Sequence, residues 1–257
     1  MAWLERDRYE VEFEAEAVRL AAAANELEPL APVPTCPEWT VRDLVGHVGT
    51  GHRWSTQIVA GRLQTPPDYV VLDPPEDPAA WAEWLVDGAR GLVEAIRTTG
   101  ADEPVWTWQP DRTAEFWLRK MLHDEVVHRF DAELAGGRLG DLAADLGADG
   151  ISDLLTSIAT LSPSDSRDPI FAGLVGAGET LHFVAIDADP SVGEWHVEQT
   201  PAGVHWQHRQ APADVTVRAP ARELLLMLNR RLDPAQPGVQ VSGDGALFIH
   251  WLDHSQF

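Results

Sequence analysis

Residues 113–135 read Thr113-Ala-Glu-Phe-Trp-Leu-Arg-Lys-Met-Leu-His-Asp-Glu-Val-Val-His-Arg-Phe-Asp-Ala-Glu-Leu-Ala135, and Gly136-Gly137 follows. The run holds no proline or glycine and spaces its apolar residues as a helix does, so it predicts one long helix stopped by the glycine pair. Asp124 and His128 stand at i, i+4, about 40° apart on one face, where a carboxylate and an imidazole can share one divalent metal. Glu125 lies at i, i+3 from His128, about 60° off on the other side, and is the competing carboxylate. His123 and His128 are five residues apart, about 140° around the helix, which excludes the H-E-x-x-H pattern of zinc proteases. A third ligand has to come from another helix. His47, between Val45 and Val48 and flanked by Gly46 and Gly49, is the best candidate, because small neighbours let helices approach closely. The competing reading of Asp124 and His128 is a local ion pair, and that of His47 is a hydrogen-bonded core histidine.

Working outward, the first 160 residues read as helices. Helical periodicity covers 8–28. The connector Pro32-Val-Pro-Thr-Cys-Pro37 cannot be helical, since three prolines fix φ and remove donors. Thr40 is placed as an N-cap, with Asp43 at the capping-box position, and the helix after it runs to about residue 58. A proline-rich loop from Gly61 to Pro78 precedes a third helix over about 79–98, and a further helix is expected near 149–161. The last 90 residues change character. Strands are expected at 181–186, 194–199, 204–209 and 214–218, then a helix over 221–231, a strand at 239–241 and a short closing helix. The fold class expected is a four-helix bundle followed by a small α+β domain. The domains are placed at 1–162 and 168–257, with the boundary in Ser162-Pro-Ser-Asp-Ser-Arg-Asp-Pro169, and no strand is expected before residue 100.

Composition narrows the function classes. The chain has 257 residues, with 41 acidic against 19 basic and a formal charge of −22. That field repels phosphate backbones and anionic lipid heads, so neither nucleic acid nor a membrane is expected as a partner. No stretch approaches the roughly 20 apolar residues of a membrane span, and the charged N-terminus is no signal peptide, so a cytoplasmic protein is expected. Cys36 is the only cysteine, which excludes an intramolecular disulfide and a cysteine-rich zinc module. It is read as a buried, inert thiol. Phosphate-binding glycine loops and the G-x-S-x-G elbow are missing. Trp39, Trp54, Trp106, Trp108 and Trp117 either line a pocket beside the metal or fill the core. His52 needs no function. His182, His196, His205 and His208 are placed on solvated strand faces, and the i, i+4 pair His250 and His254 on the surface.

Two segments carry a family resemblance: Thr35-Cys-Pro-Glu-Trp-Thr-Val-Arg-Asp-Leu-Val-Gly-His47, and residues 116–133 within the long helix. Together they resemble the hallmark segments of the mycothiol-dependent maleylpyruvate isomerase family of actinobacteria. The resemblance covers nearly the whole chain and implies a DinB-like four-helix bundle with a small C-terminal α+β domain. It implies zinc held by a histidine on the second helix and a Glu-x-x-x-His pair on the fourth. Carried over, these are His47, position 124 and His128. Position 124 is Asp124 here, one methylene shorter than the family's glutamate. The resemblance also implies mycothiol as thiol cosubstrate, a small-molecule substrate, and Arg230 as a carboxylate-binding residue. Arg230's competing reading is a surface arginine in the last turn of its helix.

Three protein ligands leave a fourth position open, the pattern of a catalytic zinc site. A thiol there is deprotonated at neutral pH. In an isomerase, the thiolate adds to an activated cis double bond. Rotation about the new single bond and elimination of the thiolate then give the trans isomer. In an S-transferase, the thiolate displaces a leaving group or opens an epoxide. Two alternatives stay open: a non-catalytic ligand-binding or regulatory protein with a weakened metal site, which Asp124 favours, and a metal-dependent hydrolase with water in the open position.

Overall fold

Four helices build the N-terminal part: α1 (Arg6–Ala24), α2 (Val41–Ala60), α3 (Trp81–Thr99) and α4 (Ala114–Ala135). The structure is a computed structural model, and it describes residues 4–163, 166 and 168–256. The chain divides into two compact units, Met1–Gly140 and Asp141–Phe257.

In the first unit, α1 and α2 each pack against both α3 and α4. Phe13, Ala17, Leu20 and Ala24 of α1 and Leu44, Val45 and Val48 of α2 are buried at helical spacing. Thr40 caps α2 as expected. Its hydroxyl accepts from the Asp43 N–H at 3.2 Å, and the Asp43 carboxylate accepts from the Thr40 N–H at 2.8 Å. The α4 helix is buried on nearly all sides, and its polar residues are matched inside the bundle. Arg129, for instance, meets Glu16 of α1 at 2.7 Å and Glu133 at 3.0 Å. This is why α4 carries charge on faces that elsewhere would be apolar.

Gly49 of α2 makes room for a side chain of α3. A Cβ there would sit 2.0 Å from Cζ3 of Trp84. That ring is held by Arg53, whose guanidinium lies 4.2 Å from its centroid and donates to the Trp84 carbonyl at 2.9 Å. Gly49→Ala is therefore expected to destabilise the protein by about 1–2 kcal/mol, overpacking outweighing the helix-propensity gain of roughly 1 kcal/mol. Urea unfolding checks this: a midpoint at or above wild type means the ring yields freely.

One feature departs from the expectation of no strand before residue 100. A small antiparallel ribbon joins β1 (Pro32–Val33) to β2 (Cys36–Thr40). Its prolines exclude helix but leave extended backbone open, and the paired segments are too short to show an alternating pattern.

The second unit contains a five-stranded sheet of β3 (Glu179–Ala185), β4 (Glu194–Thr200), β5 (Gly203–Gln207), β6 (Val215–Ala219) and β7 (Gln240–Gly243), in the order β5-β4-β3-β6-β7. Neighbours are antiparallel except β3 and β6, which are parallel. Around the sheet lie α5 (Ala144–Leu161), the short α6 (Pro169–Ala172), α7 (Ala221–Leu228) and α8 (Gly245–His254). Phe183 of β3 meets the rings of Phe248 and Trp251 on α8 at 6.2 and 6.0 Å.

The division of the chain falls at Gly140, not in 162–169. The helix expected near 149–161 begins at Ala144 and packs on α7 and β5, so it belongs to the second unit. Helical periodicity shows that a segment is helical, not which core receives its apolar face. Ser164, Asp165 and Arg167 of the expected boundary lie outside the described residues.

His182 and His196 are also placed differently from expectation. Both are buried, at 6% and 4% exposure. Because β6 pairs with β3, the segment after β5 must cross back past β4. His196 donates from Nε2 to the Pro212 carbonyl at 3.3 Å and accepts from Arg209 at Nδ1 at 3.3 Å. His182 meets Glu194 at 3.0 Å.

Candidate metal centre

The site is assembled from facing helices of the first unit. His47, near the middle of α2, and Asp124 and His128, on α4, turn their side chains toward one another. Nε2 of His47 lies 3.9 Å from Oδ2 of Asp124, and Nε2 of His128 lies 3.8 Å from Oδ1. The two imidazole rings are 4.9 Å apart and nearly perpendicular. One donor atom from each residue falls within 4.8 Å of the others. Glu125, the alternative carboxylate, is fully buried and faces His52, with Oε2 3.5 Å from Nε2. Successive residues on a helix point about 100° apart, so only one of the two acids can face the histidines.

Neighbouring residues orient these side chains. Nδ1 of His128 donates to Oδ2 of Asp131 at 2.8 Å, which fixes the tautomer and leaves the Nε2 lone pair toward Asp124. Asp131 is fully buried, and its Oδ2 also accepts from the Cys36 thiol at 3.6 Å. Cys36, expected to be buried and inert, is thus half-buried beside the centre, where Cys36, His128 and Asp131 form an overlapping donor group. The Trp39 ring lies 4.6 Å from His47 and 5.7 Å from His128. Burial holds the His47 imidazole below its usual pKa, with Asp124 opposing, which favours the neutral ring whose lone pair can bind a metal.

Among the described residues, the other tryptophans make no ring contact with His47 or His128 like those of Trp39. Trp54, Trp106, Trp108 and Trp117 form one aromatic cluster with Phe116. His250 and His254 lie on α8, with rings 4.2 Å apart. The helix α7 ends at Leu228, short of the end expected at 231, and Arg230 follows it in left-handed conformation (φ 64°). It donates to the Leu252 carbonyl at 3.0 Å and lies 3.5 Å from Asp253. Its guanidinium is therefore engaged with the end of α8.

The donor set fits zinc: two imidazole nitrogens and a carboxylate, one nitrogen backed by a buried acid. Tetrahedral bonds of about 2.0–2.2 Å place neighbouring donors roughly 3.3–3.6 Å apart. The separations of 3.8 and 3.9 Å are therefore slightly open.

Residues 12–133 match the sequence model of the mycothiol maleylpyruvate isomerase N-terminal domain, and residues 145–249 match the model of the MDMPI C-terminal domain. The chain belongs to the mycothiol maleylpyruvate isomerase family. The fold agrees with that membership. A crystal structure of a mycothiol-dependent maleylpyruvate isomerase, and one of its histidine-to-alanine mutant, each superpose with a TM-score of 0.58 at 15% identity, covering 93% of both chains. No curated protein matches the sequence. Among the described residues, no helix is long and apolar enough to cross a membrane. The family's two matched segments meet around residues 133–145, which brackets the division at Gly140.

Proposed function

We propose that this member of the mycothiol maleylpyruvate isomerase family is a zinc-dependent enzyme that activates mycothiol for addition to, or transfer onto, a small electrophile. The observation that supports it is the convergence of His47, Asp124 and His128 from two helices, with donor atoms within 4.8 Å. Bound there, zinc would supply a Lewis acid whose charge keeps a thiol deprotonated at neutral pH. The chain's own residues do the rest. His47 and His128 offer Nε2, Asp124 supplies the balancing negative charge, and Asp131 holds the His128 ring in the ligating tautomer. Trp39 walls the centre with an apolar face, which excludes water from one side of the reacting atoms. The partners are thus a low-molecular-weight thiol and a small-molecule substrate.

A second reading has an observation of its own. The 3.8–3.9 Å separations are wider than a tetrahedral zinc site needs, and Asp124 is one methylene shorter than the family's glutamate. If that opening weakens metal binding, the scaffold would serve as a non-catalytic ligand-binding or regulatory protein.

One experiment separates these readings. Protein purified without chelator is expected to carry about one zinc per chain. It should accelerate bimane conjugation of mycothiol at least about tenfold over the uncatalysed reaction, and a chelator should abolish the acceleration. Stoichiometric zinc with hydrolysis but no conjugation would point to the hydrolase. Absence of both zinc and conjugation would leave the ligand-binding reading.

A further inference from the structure

A cavity of about 300 Å³ opens beside His47. Its apolar lining is Trp39, Val71, Leu72 and Pro74. The loop carrying the last three is fixed on α2, where the Leu72 N–H donates to the Thr50 hydroxyl at 2.9 Å. Gly46 lets it rest there, since a Cβ would meet the Leu72 carbonyl at 3.1 Å and Pro74 at 3.2 Å.

The rest of the lining is mostly acidic: Glu38, Asp43 and Asp73 belong to it, and Arg42 is its only arginine or lysine. That guanidinium is already engaged, donating to the Pro75 carbonyl at 3.0 Å and the Pro74 carbonyl at 2.8 Å. Asp43 keeps its charge, because hydrogen bonds from the Thr40 hydroxyl and N–H hold its carboxyl below the usual range. A dicarboxylate entering this cavity would meet three carboxylates against one guanidinium already donating to the Pro74 and Pro75 carbonyls, inside a chain of formal charge −22.

We propose that this cavity takes an electrophile with an apolar, uncharged body and rejects dicarboxylic acids such as maleylpyruvate. The inference rests on reading His47, Asp124 and His128 as the reaction centre. Trp39 and Leu72 supply the surface for the apolar body. Glu38 and Asp73 are the specificity determinants.

Succinate and dimethyl succinate, which do not react with thiols, probe this directly. Binding is read from the indole N–H resonance of Trp39, assigned with Trp39→Phe, on zinc-loaded and metal-free protein. Metal-free protein matters because zinc would itself attract carboxylates. The diester is expected to bind at least about tenfold more tightly than the diacid to the metal-free form. The double variant Glu38→Lys/Asp73→Lys should raise succinate affinity by about tenfold at low salt, and the gain should vanish near 1 M salt. Equal or tighter binding of succinate to metal-free wild type, or an unchanged preference in the double variant, overturns the proposal. Zinc content is measured on the same samples. A preserved diester preference in protein that takes up no zinc sinks the enzymatic reading and leaves the cavity's selectivity standing.

Discussion

His47→Ala is expected to strip the protein of zinc, from about one equivalent per chain to none after dialysis. Apparent binding energies of about 10–16 kcal/mol for four-ligand zinc sites imply roughly 3–4 kcal/mol per ligand, so affinity should fall by a factor on the order of 10²–10³. The fold should survive. His47 is about a third exposed, and the apolar anchors of α2 around it, Leu44, Val45 and Val48, remain. Far-ultraviolet circular dichroism controls for this. Asp124→Glu should tighten binding several-fold, because one more methylene lets the carboxylate close separations of 3.8 and 3.9 Å. Asp131→Asn should weaken binding about 10–100-fold without removing a ligand, since it withdraws the charge behind Nδ1 of His128. Full zinc retention in His47→Ala would refute the centre. Zinc lost in Glu125→Ala but kept in Asp124→Ala would reassign its carboxylate.

The parts of this centre that the sequence shows and the parts it hides differ in range. Asp124 and His128 are legible because four residues on one helix is a fixed distance, whatever the rest of the chain does. Thr40 with Asp43 is legible for the same reason. His47 is suggested by its small and apolar neighbours, and the glycine reading has a physical counterpart in Gly49 beneath Trp84. Asp131 was within reach, three residues from His128 on the same helix, but two acids and one histidine at helical spacing do not say which acid supports and which ligates. Cys36 was beyond reach, and Trp39 stood out from the other four tryptophans by no signal of its own. They arrive at His128 through a ribbon whose strands are too short to leave a periodic signal. His182 and His196 were misplaced because alternation describes a strand's two faces and is silent on a segment crossing one of them. The helix α5 was recognised as a helix but assigned to the wrong unit, since its apolar stripe looks alike whether it faces a bundle or a sheet.

Trp117→Ala is expected to be the most destabilising single change in the first unit, at about 3–5 kcal/mol. The Trp117 side chain is fully buried. Its ring lies 5.4 Å from Trp54, 5.9 Å from Trp106, 5.2 Å from Trp108 and 5.1 Å from Phe116. Its indole N–H donates to the Trp106 carbonyl at 3.0 Å, so truncation leaves a cavity and removes that carbonyl's donor. With stability typically about 5–15 kcal/mol, such a loss should lower the urea midpoint by roughly 1.5–2.5 M. Trp108, only half-buried in the same cluster, should cost less on truncation. The metal supplies the discriminating readout. Trp54 lies seven residues after His47 on α2, and Trp117 seven before Asp124 on α4, so the cluster stands about 10 Å along both helices from the centre. If these tryptophans are core, zinc affinity per folded molecule should be unchanged in Trp117→Ala while stability collapses. If they form the wall of a pocket at the metal, affinity or thiol reactivity would fall in step with the ring removed. Trp39→Ala should behave in the opposite way, leaving the urea midpoint nearly in place while altering the surroundings of His47.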